Sequence, residues 1–340
     1  MVEVLVTGAA GFIGSNFVRY ALDAHRDWRI TTLDKLTYAG RIENLHDVMD
    51  NPRHTFVRGD IGDASVSAPL VRRSAVVVHF AAETHVDRSI LEAGEFLRTD
   101  VLGTFALLEA ARAAPHLRRF VQISTDEVYG SVEQGASREG DELRPRNPYS
   151  ASKAAADRLA YSYFATYGVP VVISRASNNY GPYQFPEKLI PLFVTNAIDD
   201  RPLPLYGDGG NVRDWLHVVD HCRAVDLLVE RGVDGEVYNV GGGQEVRNID
   251  LTHRILGLVG RPESLIRPVR DRPGHDRRYC LDSGKIGRLG WSPRVEFDNG
   301  LRETVAWYRD NEWWWRPIKD HDAAYRSYYD AQYGRRQPPA

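Results

Sequence analysis

A strand pattern, Val2-Glu3-Val4-Leu5-Val6, runs through Thr7 directly into Gly8-Ala9-Ala10-Gly11-Phe12-Ile13-Gly14, and a helical pattern follows as far as Ala21. Strand, glycine loop and helix in that order require a βα unit. The glycines permit a tight turn, close approach of backbone to a pyrophosphate, and packing of helix on strand. The first helical turn then offers unpaired N–H groups and the positive end of its dipole to phosphate. The spacing is GxxGxxG rather than GxGxxG. Gly8, Gly11, Phe12, Ile13 and Gly14 are therefore expected to hold a dinucleotide.

The following segments repeat the strand-then-helix rhythm. Trp28 to Leu33 ends on Asp34, twenty residues beyond Gly14. An acid there accepts from both ribose hydroxyls of NAD and repels the extra phosphate of NADP; a helix-capping role is compatible with this. His54 to Ile61 reads as strand plus turn, with Asp60 facing the adenine edge. Ala75 to Phe80 is another buried strand, released by Ala81-Ala82, whose small side chains suit close approach of the cofactor. Glu83-Thr84-His85-Val86-Asp87-Arg88-Ser89 then places a polar cluster at a strand's carboxyl end, where substrate contact is expected. With helical patterns between the strands, such as Val101 to Ala114, the alternation predicts a doubly wound parallel sheet, a Rossmann-type α/β fold.

The stretch with most chemistry follows the apolar run Phe120 to Ile123. It is Ser124-Thr125-Asp126-Glu127-Val128-Tyr129-Gly130, with two carboxylic acids at a strand end. Asn147-Pro148 is a helix start, and the helix is expected to run from Pro148 to Tyr167 and stop at Gly168. Tyr149 and Lys153 share one face, one turn apart. An ammonium beside a phenol lowers the tyrosine's pKa and makes a base that works near neutral pH. The wide apolar stripe of this helix (Ala151, Ala155, Leu159, Tyr163; Ala156, Ala160, Phe164) suits a second subunit or an internal core.

Beyond Ser174 the regular βα units give way to prolines and aromatics. The expected division is a dinucleotide-binding domain over 1–175, with 212–240 returning to it, a smaller mixed α/β substrate domain over 176–330, and a tail from 331 to 340. Arg213, Arg277 and Arg278 offer guanidinium forks to a sugar-nucleotide diphosphate. Trp307, Trp313, Trp314 and Trp315 read as packing. The net charge of −3 over 340 residues gives no basic surface for nucleic acid, and no apolar run spans a bilayer. Two cysteines make neither a disulfide framework nor a zinc cluster, and the pairs His79/His85 and His217/His221 lack further ligands, so no metal is expected. With no room for a signal peptide before the first strand, the expected setting is cytoplasmic.

Taken together, these residues resemble the dTDP-glucose 4,6-dehydratase family of the extended short-chain dehydrogenase/reductases, along nearly the whole chain. The specific stretches are Leu33 to Gly40, His85 to Ser89, Ser124 to Gly130, Asn178 to Lys188, Asn211 to His217 and Pro273 to Tyr279. The resemblance implies tightly held NAD, contacted also by Lys35, Thr37, Asp60, Ile61, Ala81, Ala82, Tyr149 and Lys153. It implies a nucleotide-sugar site formed by His85, Arg88, Asn178, Glu187, Lys188, Asn211, Arg213, Asn248, Arg278 and Tyr279, and a homodimer. Tyr149, helped by Lys153 and Thr125, would take the C4 hydroxyl proton as hydride leaves C4. Glu127 would remove the C5 proton, and a protonated Asp126 would serve the departing C6 hydroxyl; like charges push two such pKa values apart. Two residues depart from the pattern: Thr84 stands where serine is usual and Asp100 where asparagine is usual. The rival readings are a nucleotide-sugar 4-epimerase, uronate decarboxylase or UDP-sugar dehydratase, and a non-catalytic dinucleotide-binding protein. The Asp126–Glu127 pair argues for dehydration, because epimerases and decarboxylases need no acid at C6.

Overall fold

The computed structural model describes residues 1–334. Its strands are β1 (Val2–Thr7), β2 (Trp28–Asp34), β3 (His54–Arg58), β4 (Val76–His79), β5 (Arg119–Thr125), β6 (Val171–Ala176), β7 (Asn178–Tyr180), β8 (Leu203–Tyr206), β9 (Val212–His217), β10 (Val237–Val240), β11 (Glu245–Arg247) and β12 (Ile266–Val269). Seven form one parallel sheet in the order β10-β6-β5-β4-β1-β2-β3, the doubly wound arrangement expected from the sequence. Winding reverses between β1 and β4, which opens a crevice at their carboxyl ends.

The strand centres, such as Val4–Val6 and Val76–Val78, are buried because helices cover both faces. Helices Phe12–Ala24 and Val218–Arg231 close one side through Phe17, Val18, Ala21, Val218, Cys222 and Val225. Helices Ala64–Arg73, Thr104–Arg112 and Pro148–Tyr167 close the other through Val71, Leu107, Leu108, Ala160 and Tyr163. The helical pattern read over Val101 to Ala114 is divided. A π-helical turn over Leu97–Gly103 precedes helix Thr104–Arg112, and it turns the Asp100 side chain into the interior.

A second lobe holds the three-stranded sheet β11-β9-β7 and the pair β12-β8 around an aromatic core. Trp314 and Trp315 are buried there; the Trp315 indole donates to the Tyr308 carbonyl at 2.7 Å and that of Trp314 to Asn44 Oδ1 at 2.6 Å, joining the two lobes. Trp313 is instead 49% exposed. The chain expected as a tail from residue 331 packs through buried Gln332 and Tyr333, because helix Ala323–Tyr329 continues into a π-helical turn, Asp330–Gly334, held against the second lobe. The remainder of that tail, 335–340, lies outside the described residues.

One buried network ties the sheet to the helix that carries Tyr149. Arg175 on β6 donates to Asp157 Oδ2 at 2.8 Å and to the Tyr129 hydroxyl at 2.8 Å, and Tyr129 donates to Asn239 Oδ1 on β10 at 2.8 Å. Arg175 and Asp157 are almost wholly enclosed. Arg175→Met should destabilise the fold by about 3–5 kcal/mol, since it strands a buried carboxylate, whereas Arg175→Met with Asp157→Leu should recover most of that loss. Denaturant unfolding of the two variants at equal protein concentration checks the ordering.

Candidate active site

The glycine loop fits tightly at the crevice. A Cβ on Gly8, which has φ +69°, would stand 2.4 Å from the Ala81 nitrogen, and one on Gly14 would stand 2.3 Å from the Gly8 carbonyl. Helix Phe12–Ala24 begins at Gly11 without a side-chain cap, which leaves its first N–H groups for a phosphate. Asp34 accepts from the Ala10 amide at 2.9 Å and from the Leu36 amide at 2.8 Å. Each carboxylate oxygen keeps a further lone pair for a ribose hydroxyl. Asp34 lines a long cleft together with Gly8, Gly11, Phe12, Ile13, Gly14, Lys35, Thr37, Asp60, Ile61, Ala81 and Ala82, so every residue expected at the dinucleotide is gathered there. Lys35 and Asp60 form an ion pair at 2.7 Å on its rim. These features fit a dinucleotide with an unphosphorylated ribose.

At the inner end of the cleft stand Thr125, Glu127, Tyr149 and Lys153. Thr125 ends β5 and caps the next turn: its hydroxyl accepts from the Glu127 amide at 3.3 Å and donates to Asp126 Oδ1 at 3.1 Å. The Asn147 side chain and Ser150 cap helix Pro148–Tyr167 reciprocally, which fixes the first turn that bears Tyr149. Lys153 donates from Nζ to the Ile123 carbonyl at 2.7 Å, and burial holds its pKa down against the attraction of Asp100 and Asp157.

Burial, reinforced by Glu127 and Asp100, pushes the Tyr149 phenol well above its ordinary pKa; a hydrogen bond with Thr125 opposes this. The depression expected from Lys153 is thus not the outcome in the protein alone, because desolvation of the phenolate is the largest influence on this group. Asp126 is shifted in the same direction. Burial first, then the Glu127 charge, pushes its carboxyl well up, and its Oδ2 is enclosed without a partner. It stands behind Glu127 and lines neither cleft.

Asp100 accepts from Ser152 Oγ at 2.6 Å and from the Glu83 amide at 2.8 Å. Burial lifts it to about 6 despite the pull of Lys153, and burial plus the Asp100 charge lifts Glu83 to about 7. Thr84 contributes its carbonyl, which accepts from Lys188 Nζ at 2.5 Å. Of the histidine pairs, His79 hydrogen-bonds Thr7 and Thr104, and His221 hydrogen-bonds Asn179. Among the described residues no three His, Cys, Asp or Glu side chains cluster as a metal site.

A second cleft shares Glu127, Asn178, Glu187 and Lys188 with the first and continues into the other lobe. His85, Arg213 and Asn248, three of the residues assigned from the sequence to a nucleotide-sugar site, line it. Arg88 stands behind its wall, donating to Glu187 Oε2 at 2.9 Å between the rings of Tyr38 and Tyr328. Asn211 and Tyr279 also stand behind it: the former donates to the Asp276 carbonyl at 3.2 Å, and the latter supports the Arg213 guanidinium, 4.4 Å from its ring centroid.

Arg278 does not reach either cleft. Glu245 holds it in a two-pronged pair, and Arg277 is held likewise by Asp208, because each has an exposed carboxylate within reach. Of Arg272, Arg277 and Arg278, it is Arg272 that joins Arg213 in lining the second cleft, turned inward to Asp87 at 3.4 Å with its Nε enclosed and unpartnered. Sequence reasoning missed it along with His275, Tyr206 and Tyr333; Arg272-Pro273-Gly274 marked a turn, but not which of three arginines it would point inward.

A family model described as GDP-mannose 4,6 dehydratase matches residues 5–304. The dTDP-glucose 4,6-dehydratase of Streptomyces antibioticus is 55% identical over 327 residues, covering 94% of this chain and 96% of that protein. That of Streptomyces niveus is 53% identical over 334 residues, covering 97% and 99%. The crystal structure of DesIV, a dTDP-glucose 4,6-dehydratase from Streptomyces venezuelae with NAD and TYD bound, matches with a TM-score of 0.91 at 52% identity, covering 93% and 100%. A UDP-glucose 4-epimerase from Thermus thermophilus in complex with NAD matches with a TM-score of 0.84, but at 33% identity, covering 91% and 100%. The fold is common to both chemistries, while the sequence lies with the dehydratases; the chain belongs to the family that holds the GDP-mannose and dTDP-glucose 4,6-dehydratases.

Proposed function

We propose that this protein is a hydro-lyase that converts dTDP-glucose into dTDP-4-keto-6-deoxyglucose, with NAD held in the first cleft and the nucleotide sugar in the second. The observation that carries this reading is the turn after β5. It sets an enclosed Asp126, whose carboxyl is pushed toward its protonated form, directly behind Glu127, which lines the same inner pocket as Tyr149 and Lys153. NAD bound there supplies the hydride acceptor for C4 and the donor for C6. Tyr149 takes the C4 hydroxyl proton, with Thr125 stabilising its phenolate and Lys153 supplying positive charge nearby. The C4 ketone makes the C5 proton acidic, and Glu127 removes it. Asp126 serves as the acid for the C6 hydroxyl, which leaves as water. Arg213 and Arg272 offer the guanidinium groups suited to a diphosphate. A 4-epimerase or decarboxylase would leave Asp126 without a chemical task.

The assignment of residues 1–175 and 212–240 to the cofactor lobe and 176–330 to the substrate lobe belongs to the same reading. So does a homodimer. The stripe on helix Pro148–Tyr167 divides, Ala156, Ala160 and Tyr163 facing the core while Ala151 and Ala155 face outward. Leu97, Leu102, Phe105, Tyr161 and Tyr167 are exposed on this helix and on the segments packed beside it, and they offer an apolar face to a second copy. No helix among the described residues is long and apolar enough to cross a membrane.

Incubation with dTDP-glucose and with UDP-glucose, each followed for a 4-keto product, tests the reaction; product from neither sugar would overturn it. Asp126→Asn should slow water loss by roughly the 10²–10⁴-fold typical of general acid–base catalysis yet still exchange the C5 hydrogen with solvent deuterium, whereas Glu127→Gln should lose both. Mass spectrometry of product and recovered substrate separates the two steps. Leu102→Arg should shift the protein from dimer to monomer in sedimentation velocity, and a monomeric unaltered protein would remove the dimer from this reading.

A further inference from the structure

The last described stretch of chain is built into the second cleft. Tyr333 is buried and lines it. Gln332 donates from Nε2 to the Tyr206 hydroxyl at 2.7 Å, Tyr206 donates to Asp87 Oδ2 at 3.0 Å, and Asp87 Oδ1 accepts from Arg272 at 3.4 Å. Tyr206, Asp87 and Arg272 all line the same cleft. One turn earlier, Tyr328 stands 3.4 Å from His85 Nδ1 and stacks on Arg88, whose partner Glu187 is another cleft residue. No residue from 323 to 334 lines the dinucleotide cleft.

We propose that the segment Ala323–Gly334 is a working part of the nucleotide-sugar site: Tyr333 contacts the bound substrate, and Gln332 positions Arg272 through Tyr206 and Asp87. The inference rests on the reading of the second cleft as the nucleotide-sugar site. Arg272 keeps one enclosed donor, Nε, without a protein partner. A guanidinium with one edge fixed on a carboxylate and another donor free is arranged to receive an anionic group such as a phosphate. Preorganising so long a side chain raises affinity by removing the cost of ordering it on binding. Because the hydrogen-bond chain that orders Asp87 ends on Gln332, docking of the C-terminal segment and readiness of the phosphate-binding arginine are one event. Tyr206 and Tyr333, with ring centroids 6.1 Å apart, place an aromatic wall at the same end of the cleft. This suits the nucleoside part of such a substrate.

The test uses full-length protein with its bound NAD and reads dTDP binding by calorimetry beside steady-state kinetics with dTDP-glucose. Gln332→Ala should weaken dTDP roughly tenfold, the order expected for loss of one hydrogen bond to a buried group. Tyr333→Ala should weaken it at least as much, and Tyr333→Phe, which keeps the ring, should restore most of what Tyr333→Ala loses. In each weakened variant KM should rise by more than kcat falls, and NAD content should stay at that of the unaltered protein. Unchanged dTDP affinity in Gln332→Ala and Tyr333→Ala would overturn the proposal, as would a loss of NAD and of melting temperature in step with dTDP binding, which would make the segment a fold support only. Failure of the unaltered protein to bind dTDP would instead remove the reading of the cleft itself, and this inference with it.

Discussion

The arrangement of reactive groups depends on one buried guanidinium. Tyr149 and Lys153 arrive on a helix, and Asp126 and Glu127 arrive on a turn more than twenty residues earlier. Arg175 touches both, through Asp157 further along the helix and through Tyr129 at the end of the turn. Tyr129 passes the constraint on to Asn239 on β10, at the far edge of the sheet. A charge so enclosed is tolerated only when its partners are in place, so it penalises every arrangement in which helix and turn are shifted. An apolar side chain of the same size would fill the space without fixing a direction.

The same dryness governs the protons. Asp126, Asp100 and Glu83 are all pushed toward their neutral forms, and Lys153 is pushed toward its own, because each is withdrawn from water. A carboxyl pushed toward its protonated form suits the elimination of a poor leaving group. The cost is that the Tyr149 phenol is pushed toward its neutral form as well, so it leans on its hydrogen bond with Thr125 to act as a base.

The features legible in the sequence were those written locally. The glycine loop, Asp34, the strand-end acids and the Tyr149–Lys153 spacing each depend on residues within one turn or one βα unit, and periodicity alone placed them on strand ends or helix starts. What escaped was decided by partners distant along the chain. Arg272, Arg277 and Arg278 lie in one short run, and their fates were divided by Asp87, Asp208 and Glu245, each contributed by another element. The direction of the Tyr149 shift escaped because burial is a tertiary quantity. The tail escaped because Gln332 and Tyr333 look polar and terminal until Tyr206 stands opposite them.

The position of β10 has a consequence for how the chain is made. This strand, residues 237–240, completes the main sheet beside β6, and helix Val218–Arg231 covers the face that helix Phe12–Ala24 only half covers. Both emerge from the ribosome after β7, β8 and β9, which belong to other sheets. During synthesis the first six strands must therefore wait, with one face of β5 and the edge of β6 uncovered, while the chain from 177 to 217, destined for elsewhere, is added. For that interval the nascent chain presents a bare strand edge and unshielded valines, the features that chaperones recognise and aggregates exploit.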